Sequence, residues 1–281
     1  MSELPPVLQV EQIGPDRWSA PKPETDPEGR DVVFSGQLLA QMMMVSQAGL
    51  EGKETKSVHA IFARAGRYSA GPIEMVVEQL HSGRAWASTT VTALQDDRLL
   101  CRGLVLLNAV EPDLVAHGPT MPDVPGPDEC PPRPIGVIYP GADVRVVDAA
   151  VARNVAGSPA MAVWFRASES YDSVAVNQAI VAWSQPGLII GAALQAHPDE
   201  VDLAQAHRGI STGVISHTAH FHEHADVGDW LLFMHEAPYA GKGRIFGTGT
   251  VFRRDGTLVS TFGQDSMARK VEGELDFKTA M

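Results

Sequence analysis

The same order of segments occurs twice along this chain. An apolar, helix-forming stretch at residues 34–49 precedes several runs rich in β-branched residues, and a second apolar stretch at 174–183 precedes another such set. The spacing is matched as well, since His59 lies 40 residues before Leu99 and His217 lies 41 before Leu258. The pattern predicts two copies of one helix-plus-sheet unit.

Both apolar stretches lack a continuous polar face, so each is predicted to be a buried helix. The strands are expected as a pair within about 7–20 and at 57–64, 72–80, 85–94, 98–110, 161–168, 213–221, 230–236, 243–253 and 257–262, with short turn signals between many of them. A buried helix followed by neighbouring strands joined by turns predicts an α+β fold, in which an antiparallel sheet wraps around a central helix in each repeat.

Residues 112–140 contain nine of the 20 prolines of the chain. Proline cannot donate to a sheet ladder or continue a helix, so this segment is predicted to be a linker that runs over the surface. We therefore expect an N-terminal repeat at 1–111, a proline-rich linker at 112–140 and a C-terminal repeat at 141–281.

The net charge, the cysteines and the distribution of apolar residues limit the classes of protein to which the chain can belong. The formal charge of −12 opposes binding to nucleic acid or to an anionic membrane surface. Cys101 and Cys130 have no paired spacing, which predicts free thiols in a reducing compartment. The sequence has neither a signal-peptide pattern at its start nor a run of about 18 apolar residues. We expect a cytoplasmic protein that does not span a membrane.

The predicted strand at 257–262 leads into Gly263 and the uncharged polar residue Gln264. A glycine inside a strand is typical of a bulge or of a close approach to the backbone, which would let Gln264 face a ligand. When the two repeats are superposed on Leu99 and Leu258, Val105 falls opposite Gln264. One repeat is therefore apolar at the position where the other is polar. This difference is expected of a duplicated fold that keeps its site in one repeat.

Four motifs of the chain resemble motifs of a known protein family. They are Phe34-Ser-Gly-Gln, His59-Ala-Ile-Phe-Ala-Arg, His217-Thr-Ala-His-Phe-His and Asp255-Gly-Thr-Leu-Val-Ser-Thr-Phe-Gly-Gln. Together they resemble the type II acyl-CoA thioesterase (TesB-like) family, across about 32–269. The resemblance implies a double hotdog fold and an acyl-CoA substrate.

In that family an Asp near the end of the second hotdog helix, a Thr or Ser on the next strand and a Gln position the attacking water. Gln264 matches the family Gln, while Pro186 occupies the Asp position and Val214 the Thr position. Neither Pro nor Val can carry out proton chemistry.

Possible substitutes for the missing groups lie nearby. They are Gln185, Thr212 and Ser216, the last two of which would face the same way as Val214 if the strand alternates regularly. Asp265 is a carboxylate, but as the neighbour of Gln264 on a strand it should point the other way.

The resemblance also suggests groups that contact the substrate. These candidates are Gly36, Gln37, His59 and Arg64. The alternating His220, His222 and His224 have no Cys or carboxylate at zinc spacing among them, so we expect no metal and no cofactor.

Three functions remain open at this point. The leading hypothesis is hydrolysis of acyl-CoA to free fatty acid and CoA, with the partners of Gln264 rearranged. The second is a protein that binds acyl-CoA or another acyl ligand without cutting it, as Pro186 and Val214 suggest. A hydratase on the same fold would need an Asp and a His at the start of a hotdog helix, and neither helix has them. Free sheet edges favour a homodimer or larger homo-oligomer.

Overall fold

A computed structural model of the protein describes residues 4–22, 31–136, 138–201 and 209–270. The strands in these residues are Glu11–Gln12 (β1), Arg17–Ala20 (β2), Glu54–Phe62 (β3), Ile73–Ser82 (β4), Trp86–Gln95 (β5), Arg98–Asn108 (β6), Asp143–Val146 (β7), Ala160–Arg166 (β8), Ile210–Phe221 (β9), Leu231–Gly241 (β10), Arg244–Arg253 (β11) and Leu258–Lys270 (β12). The α-helices are Ser35–Gln47 (α1), Ala149–Ala156 (α2), Val174–Ser184 (α3) and Leu188–Gln195 (α4).

All of these strands belong to one antiparallel sheet. Its order is β1-β2-β4-β5-β6-β3-β9-β12-β11-β10-β8-β7. The two repeats meet where β3 pairs with β9, from Ser57 opposite His220 to Ile61 opposite Ser216. The α+β prediction is confirmed, and the half-sheets of the two repeats join edge to edge at this seam.

The helices α1 and α3 are buried on the inner side of the sheet, as their apolar sequences predict. Ser173 caps α3 by accepting a hydrogen bond from the Val176 amide, while α1 ends before Gly49, which has a φ of +73°. The two helices pack against each other at Gly36, where an added Cβ would lie 2.1 Å from the Trp183 carbonyl oxygen. One core therefore spans both repeats.

The proline-rich segment covers part of the other side of the sheet. Met121, Val124 and Cys130 from this segment pack with α2 over the outward side chains of β8 and β10, forming a second apolar cluster. Trp164 anchors the segment because its indole Nε1–H donates to the Pro125 carbonyl at 2.8 Å. The outer face is thus covered at the β8–β10 end of the sheet.

Three features differ from the sequence-based expectations. The last strand continues beyond Phe262 to Lys270, and Gly263 stays in register with Thr218 instead of forming a bulge. The bulge lies on β9, where Ile215 has no partner between the pairs of Ser216 and Val214. The elements β7, α2 and α4 were not predicted. None of the described helices has the length and apolar character needed to cross a bilayer.

Candidate active site

Four buried polar side chains form a hydrogen-bonded row between the end of α3 and β12. Gln185 Oε1 lies 3.0 Å from His217 Nε2, and His217 Nδ1 lies 3.1 Å from Gln264 Oε1. Ser266 Oγ is 2.8 Å from Gln264 Nε2. The row therefore joins the helix to two neighbouring strands.

Backbone geometry explains why these side chains meet. Gln185 is the residue that ends α3, because Pro186 cannot continue the helical ladder and Gly187, at φ 104° and ψ −42°, redirects the chain into α4. On β12, Gln264 and Ser266 are two residues apart and share the inner face. His217 pairs directly with Gln264 across the β9–β12 ladder.

The site is closed to solvent. Gln185, His217 and Ser266 are fully buried and Gln264 is 1% exposed. The helix α4 covers this region because Gly247, the partner of Gln264 on β11, leaves room for Ile189; an added Cβ on Gly247 would lie 2.4 Å from Ile189 Cγ2. Any ligand that reaches the Gln264 side chain from the inner face must therefore displace α4 or one of the buried side chains.

Burial keeps the histidines of the site neutral. Desolvation lowers the pKa of His217 to about 4. A second histidine, His235, places Nε2 3.1 Å from the Gln185 carbonyl oxygen, and desolvation lowers its pKa to about 3. Both rings pack against Phe262.

A neutral His217 fixes the orientation of the two amides. The Ser260 hydroxyl donates its proton to the His220 carbonyl oxygen at 2.7 Å, so the Ser260 oxygen acts as acceptor for Gln185 Nε2 at 2.9 Å. The oxygen of the Gln185 amide then accepts from His217 Nε2–H. The Nδ1 lone pair of His217 then requires a donor. Rotating the Gln264 amide by 180° provides it, because the two ends of an amide are nearly isosteric. Ser266 then donates its hydroxyl to the Gln264 oxygen.

Polar groups lie next to the two positions that the resemblance assigns to the family Asp and Thr. Pro186 ends the helix at the first position, and Gln185 directs an amide into the buried row. Val214, at the second position, pairs with Ser266 across the ladder, so a hydroxyl stands on the adjacent strand. Sequence reasoning missed Ser266 and the role of His217. The alternation of Gln264 and Ser266 along one strand was the available signal for Ser266.

The other proposed substitutes lie elsewhere. Because of the bulge at Ile215, Ser216 points to the outer face, where it donates to Asp265 Oδ2 at 3.0 Å. The expectation that Ser216 shares the face of Val214 is therefore wrong, whereas Asp265 points outwards as predicted. Thr212 lies beyond Val214, paired with Ala268, and makes no hydrogen bond with the buried row.

The candidate substrate contacts are also dispersed. Gly36 lies in the α1–α3 contact, and Gln37 is buried, with Nε2 donating to the Pro21 carbonyl and Oε1 accepting from Tyr68. His59 lies on the outer face, where Nδ1 is 3.1 Å from Thr218 Oγ1. Arg64 follows β3 and is partly exposed. The structure does not bring these four to the Gln264 row.

The alternating histidines His220, His222 and His224 contact different partners. His222 Nε2 lies 2.9 Å from Thr261 Oγ1, and His224 Nε2 lies 2.6 Å from Glu54 Oε2. His220 contacts the ring of His59 edge to face on the outer side of the sheet. Within the described ranges, no three His, Cys, Asp or Glu side chains are grouped so as to hold a metal ion.

The chemistry available in the buried row is that of neutral groups. Two amides and a hydroxyl can orient water or hold a carbonyl oxygen, and His217 is the member that can take up a proton. In the part of the chain that the structure describes, no carboxylate hydrogen-bonds to these four side chains. The buried row, as far as the structure describes it, therefore holds no carboxylate that could act as a general base.

Comparison with known proteins agrees with the fold and the motifs. Models of the acyl-CoA thioesterase N-terminal and C-terminal domains match residues 22–108 and 117–268. Acyl-coenzyme A thioesterase 8 of Mus musculus is 22% identical over 263 residues, which is 84% of this chain and 80% of the mouse protein. The human protein of that name is 23% identical over 264 residues, with the same coverage.

Solved structures show the same fold. The tesB protein of Mycobacterium avium subs paratuberculosis superposes with a TM-score of 0.79 at 23% identity, covering 94% of this chain and 96% of that protein. The acyl-CoA thioesterase II TesB2 of Mycobacterium marinum gives 0.77 at 21% identity, covering 95% and 98%. Because the two domain models together span most of its length, this chain belongs to the acyl-CoA thioesterase family.

Proposed function

We propose that the protein hydrolyses acyl-CoA thioesters to free fatty acid and CoA at the buried row around Gln264. The observation that carries the proposal is the Gln264 amide held between Ser266 and His217. The motif resemblance assigns this residue to the family Gln. Gln264 and Ser266 orient a water molecule and the thioester carbonyl, the task that the family gives to a Gln and a hydroxyl.

His217 is the proton acceptor in this scheme, through Nδ1, which becomes free when the Gln264 amide turns away from the ring towards the substrate. The water oxygen bonds to the thioester carbon as its proton passes to the imidazole, and the C–S bond then breaks to release the CoA thiolate, which takes that proton back. An imidazole with a pKa of about 4 is a weak base at neutral pH. We therefore expect turnover that is slow and that persists well below pH 6.

Release of free CoA thiol from short to long acyl-CoAs tests the proposal. Gln264→Ala and Ser266→Ala should each lower kcat by about 10-fold or more, since each removes a group that orients the reacting atoms. Ser216→Ala is the matched control, because this serine lies on the neighbouring strand but faces outwards. Equal activity of Ser266→Ala and Ser216→Ala would rule out the role given to Ser266.

A second candidate function is binding of acyl-CoA without hydrolysis. The specific observation in its favour is that the end of α3 supplies the buried row with the Gln185 amide, at the point where the resemblance calls for a carboxylate. The native protein would then bind a thioether analogue of acyl-CoA in calorimetry but release no thiol from the thioester.

Gln185→Glu separates the two candidates. A glutamate at this position sets a carboxylate next to His217 Nε2, which raises the pKa of the ring and makes it a stronger base. If the site is built for hydrolysis, thiol release should increase by about 10-fold and its acid limb should move to higher pH. Binding without any turnover in both native protein and Gln185→Glu would support the second candidate.

A further inference from the structure

The side chain of Ile189 occupies the space beside Gln264 on the inner face of the sheet. Gly247 on β11 is the ladder partner of Gln264. An added Cβ on Gly247 would lie 2.4 Å from Ile189 Cγ2 and 3.1 Å from Ile189 Cδ1. Ile189 is itself fully buried. The branched end of this side chain therefore stands where a residue other than glycine would place its own side chain, next to the buried row.

The adjoining space on β11 is filled by a side chain that two histidine rings hold in place. An added Cβ on Gly249 would lie 2.1 Å from Phe262 Cζ. The Phe262 ring packs against the rings of His217 and His235, at centroid distances of 5.7 and 5.1 Å. Both histidines in turn contact Gln185 through Nε2. Phe262 therefore cannot move away without disturbing the buried row.

Ile189 is held by apolar packing. It lies in the first turn of α4, close after Gly187, whose φ of 104° redirects the chain. Leu188, Ala192 and Ala193 of the same helix are buried in the core that spans both repeats. Apolar packing is non-directional, so a side chain held by it can change rotamer to make room for an apolar ligand. Of the two side chains that lie over β11 here, Ile189 is the one that can yield.

The chemical character of this space suits an acyl chain better than the CoA moiety. Ile189, Ile245 and Phe262 all belong to the apolar core. CoA carries phosphates and amides, which are costly to bury without partners, whereas burial of each methylene group in an apolar environment is favourable. A thioester whose carbonyl is held by Gln264 would therefore direct its acyl chain over Gly247 towards Ile189.

We propose that Ile189 sets the length of the acyl chain that the site accepts, so that the substrates are short-chain acyl-CoAs, up to about hexanoyl-CoA. This inference rests on the proposed function at Gln264. The acyl chain runs from the thioester carbonyl at Gln264 over Gly247, and the Ile189 side chain ends the space available to it. A chain that needs more volume than Ile189 can yield has to displace α4 or Phe262, at the cost of their close packing.

Release of free CoA thiol from a series that runs from acetyl-CoA to palmitoyl-CoA tests the inference. The native protein should have its highest kcat/KM on a short chain, hexanoyl or below. Ile189→Ala removes the volume of about three methylene groups and should move the optimum to chains about three carbons longer. Each buried methylene favours binding about 3- to 4-fold, so the kcat/KM ratio of octanoyl-CoA to butyryl-CoA should rise by about 10-fold or more. Ile189→Val, which removes about one methylene, should give a smaller shift in the same direction.

Ile190→Ala is the matched control, because it removes the same atoms from the next residue of α4, which is only partly buried. This variant should keep the native order of chain lengths. If Ile189→Ala fails to fold, the shift expected of Ile189→Val still tests the inference. An unchanged order in both Ile189 variants, an equal shift in Ile190→Ala, or a native optimum at a long chain such as palmitoyl would overturn it.

Binding measurements separate this inference from the proposed function. Thioether analogues of acyl-CoA cannot be hydrolysed, and calorimetry measures their affinity for the native protein and for Ile189→Ala. The longest analogue that Ile189→Ala binds should exceed the longest that the native protein binds by about three carbons. If this shift is found but the native protein releases no thiol, hydrolysis is wrong and the role of Ile189 stands. Turnover without a shift in either measurement would contradict the role of Ile189 alone, and the absence of both turnover and binding would contradict both.

Discussion

The two histidines nearest to Gln185, His217 and His235, should make the free energy of unfolding fall in mild acid. Their pKa values are about 4 for His217 and about 3 for His235 in the folded protein, against 6.5 in the unfolded chain. Between these values the unfolded chain binds more protons, so the free energy of unfolding falls as pH decreases. Each histidine contributes its full stability above pH 6.5, and between pH 6.5 and its folded-state pKa this contribution falls by about 1.4 kcal/mol per pH unit.

Urea unfolding at pH 7.5 and pH 5.0 measures this loss. His217→Gln should have a smaller difference between the two pH values than the native protein, whereas His81→Gln, on an exposed ring, should keep the native difference. His220 and His222 also have lowered pKa values and add to the trend in both proteins. An unchanged pH dependence in His217→Gln would show that this ring is not the neutral, buried group described here.

Single residues of the site were only partly predictable from the sequence. Gln264 could be found because a polar side chain after an apolar strand run is conspicuous and because its motif resembles a family pattern. The partners of Gln264 depend on the cross-strand register and on the direction of the last helical residue. A bulge of one residue at Ile215 decides that Ser216 points outwards, and no local signal in the sequence marks that bulge.

At the scale of elements, the close contact between α1 and α3 should be the least tolerant of added volume. An alanine at position 36 would place its Cβ 2.1 Å from the Trp183 carbonyl oxygen and 2.6 Å from the Phe34 ring. We expect Gly36→Ala to lower the free energy of unfolding by about 1–3 kcal/mol, because the helices must move apart. Since Trp183 precedes Gln185 by two residues, the same shift should disturb the buried row.

Chemical denaturation of Gly36→Ala checks this expectation. Gly14→Ala is the control, as its Cβ would be 3.5 Å from Arg17 Cβ, an ordinary contact. A Gly36→Ala protein as stable as the Gly14→Ala protein would show that the helices are not in the contact described.

Elements with strong periodicity or composition were predicted well, and the missed ones have physical reasons. The strands of both repeats and the helices α1 and α3 follow from β-branched runs and from apolar helix formers. Pro186 does end α3, but Gly187 allows the chain to turn at once into α4, which was not predicted. The strand β7 has four residues, too few to show an alternating pattern.

For the whole molecule, the duplication explains both the fold and the position of the site. The half-sheets share the β3–β9 ladder, and the helices of both repeats share one core. The polar row around Gln264 lies in the second repeat. Val105, which the sequence superposition places opposite Gln264, is buried in the first repeat. The sequence revealed this asymmetry, but the joining of both repeats into one sheet required the structure.

Because the repeats share so much surface, the chain should unfold as one unit. Separating them would expose the facing sides of α1 and α3, break the β3–β9 ladder and remove polar contacts such as Gln178 Nε2 to the Thr55 carbonyl at 3.1 Å and Lys56 Nζ to the Phe221 carbonyl at 2.7 Å. Differential scanning calorimetry should therefore give one transition whose calorimetric and van't Hoff enthalpies agree, counted per cooperative unit. Two separate transitions would instead mean that each repeat is stable alone, and that the seam contributes little to the folding of either.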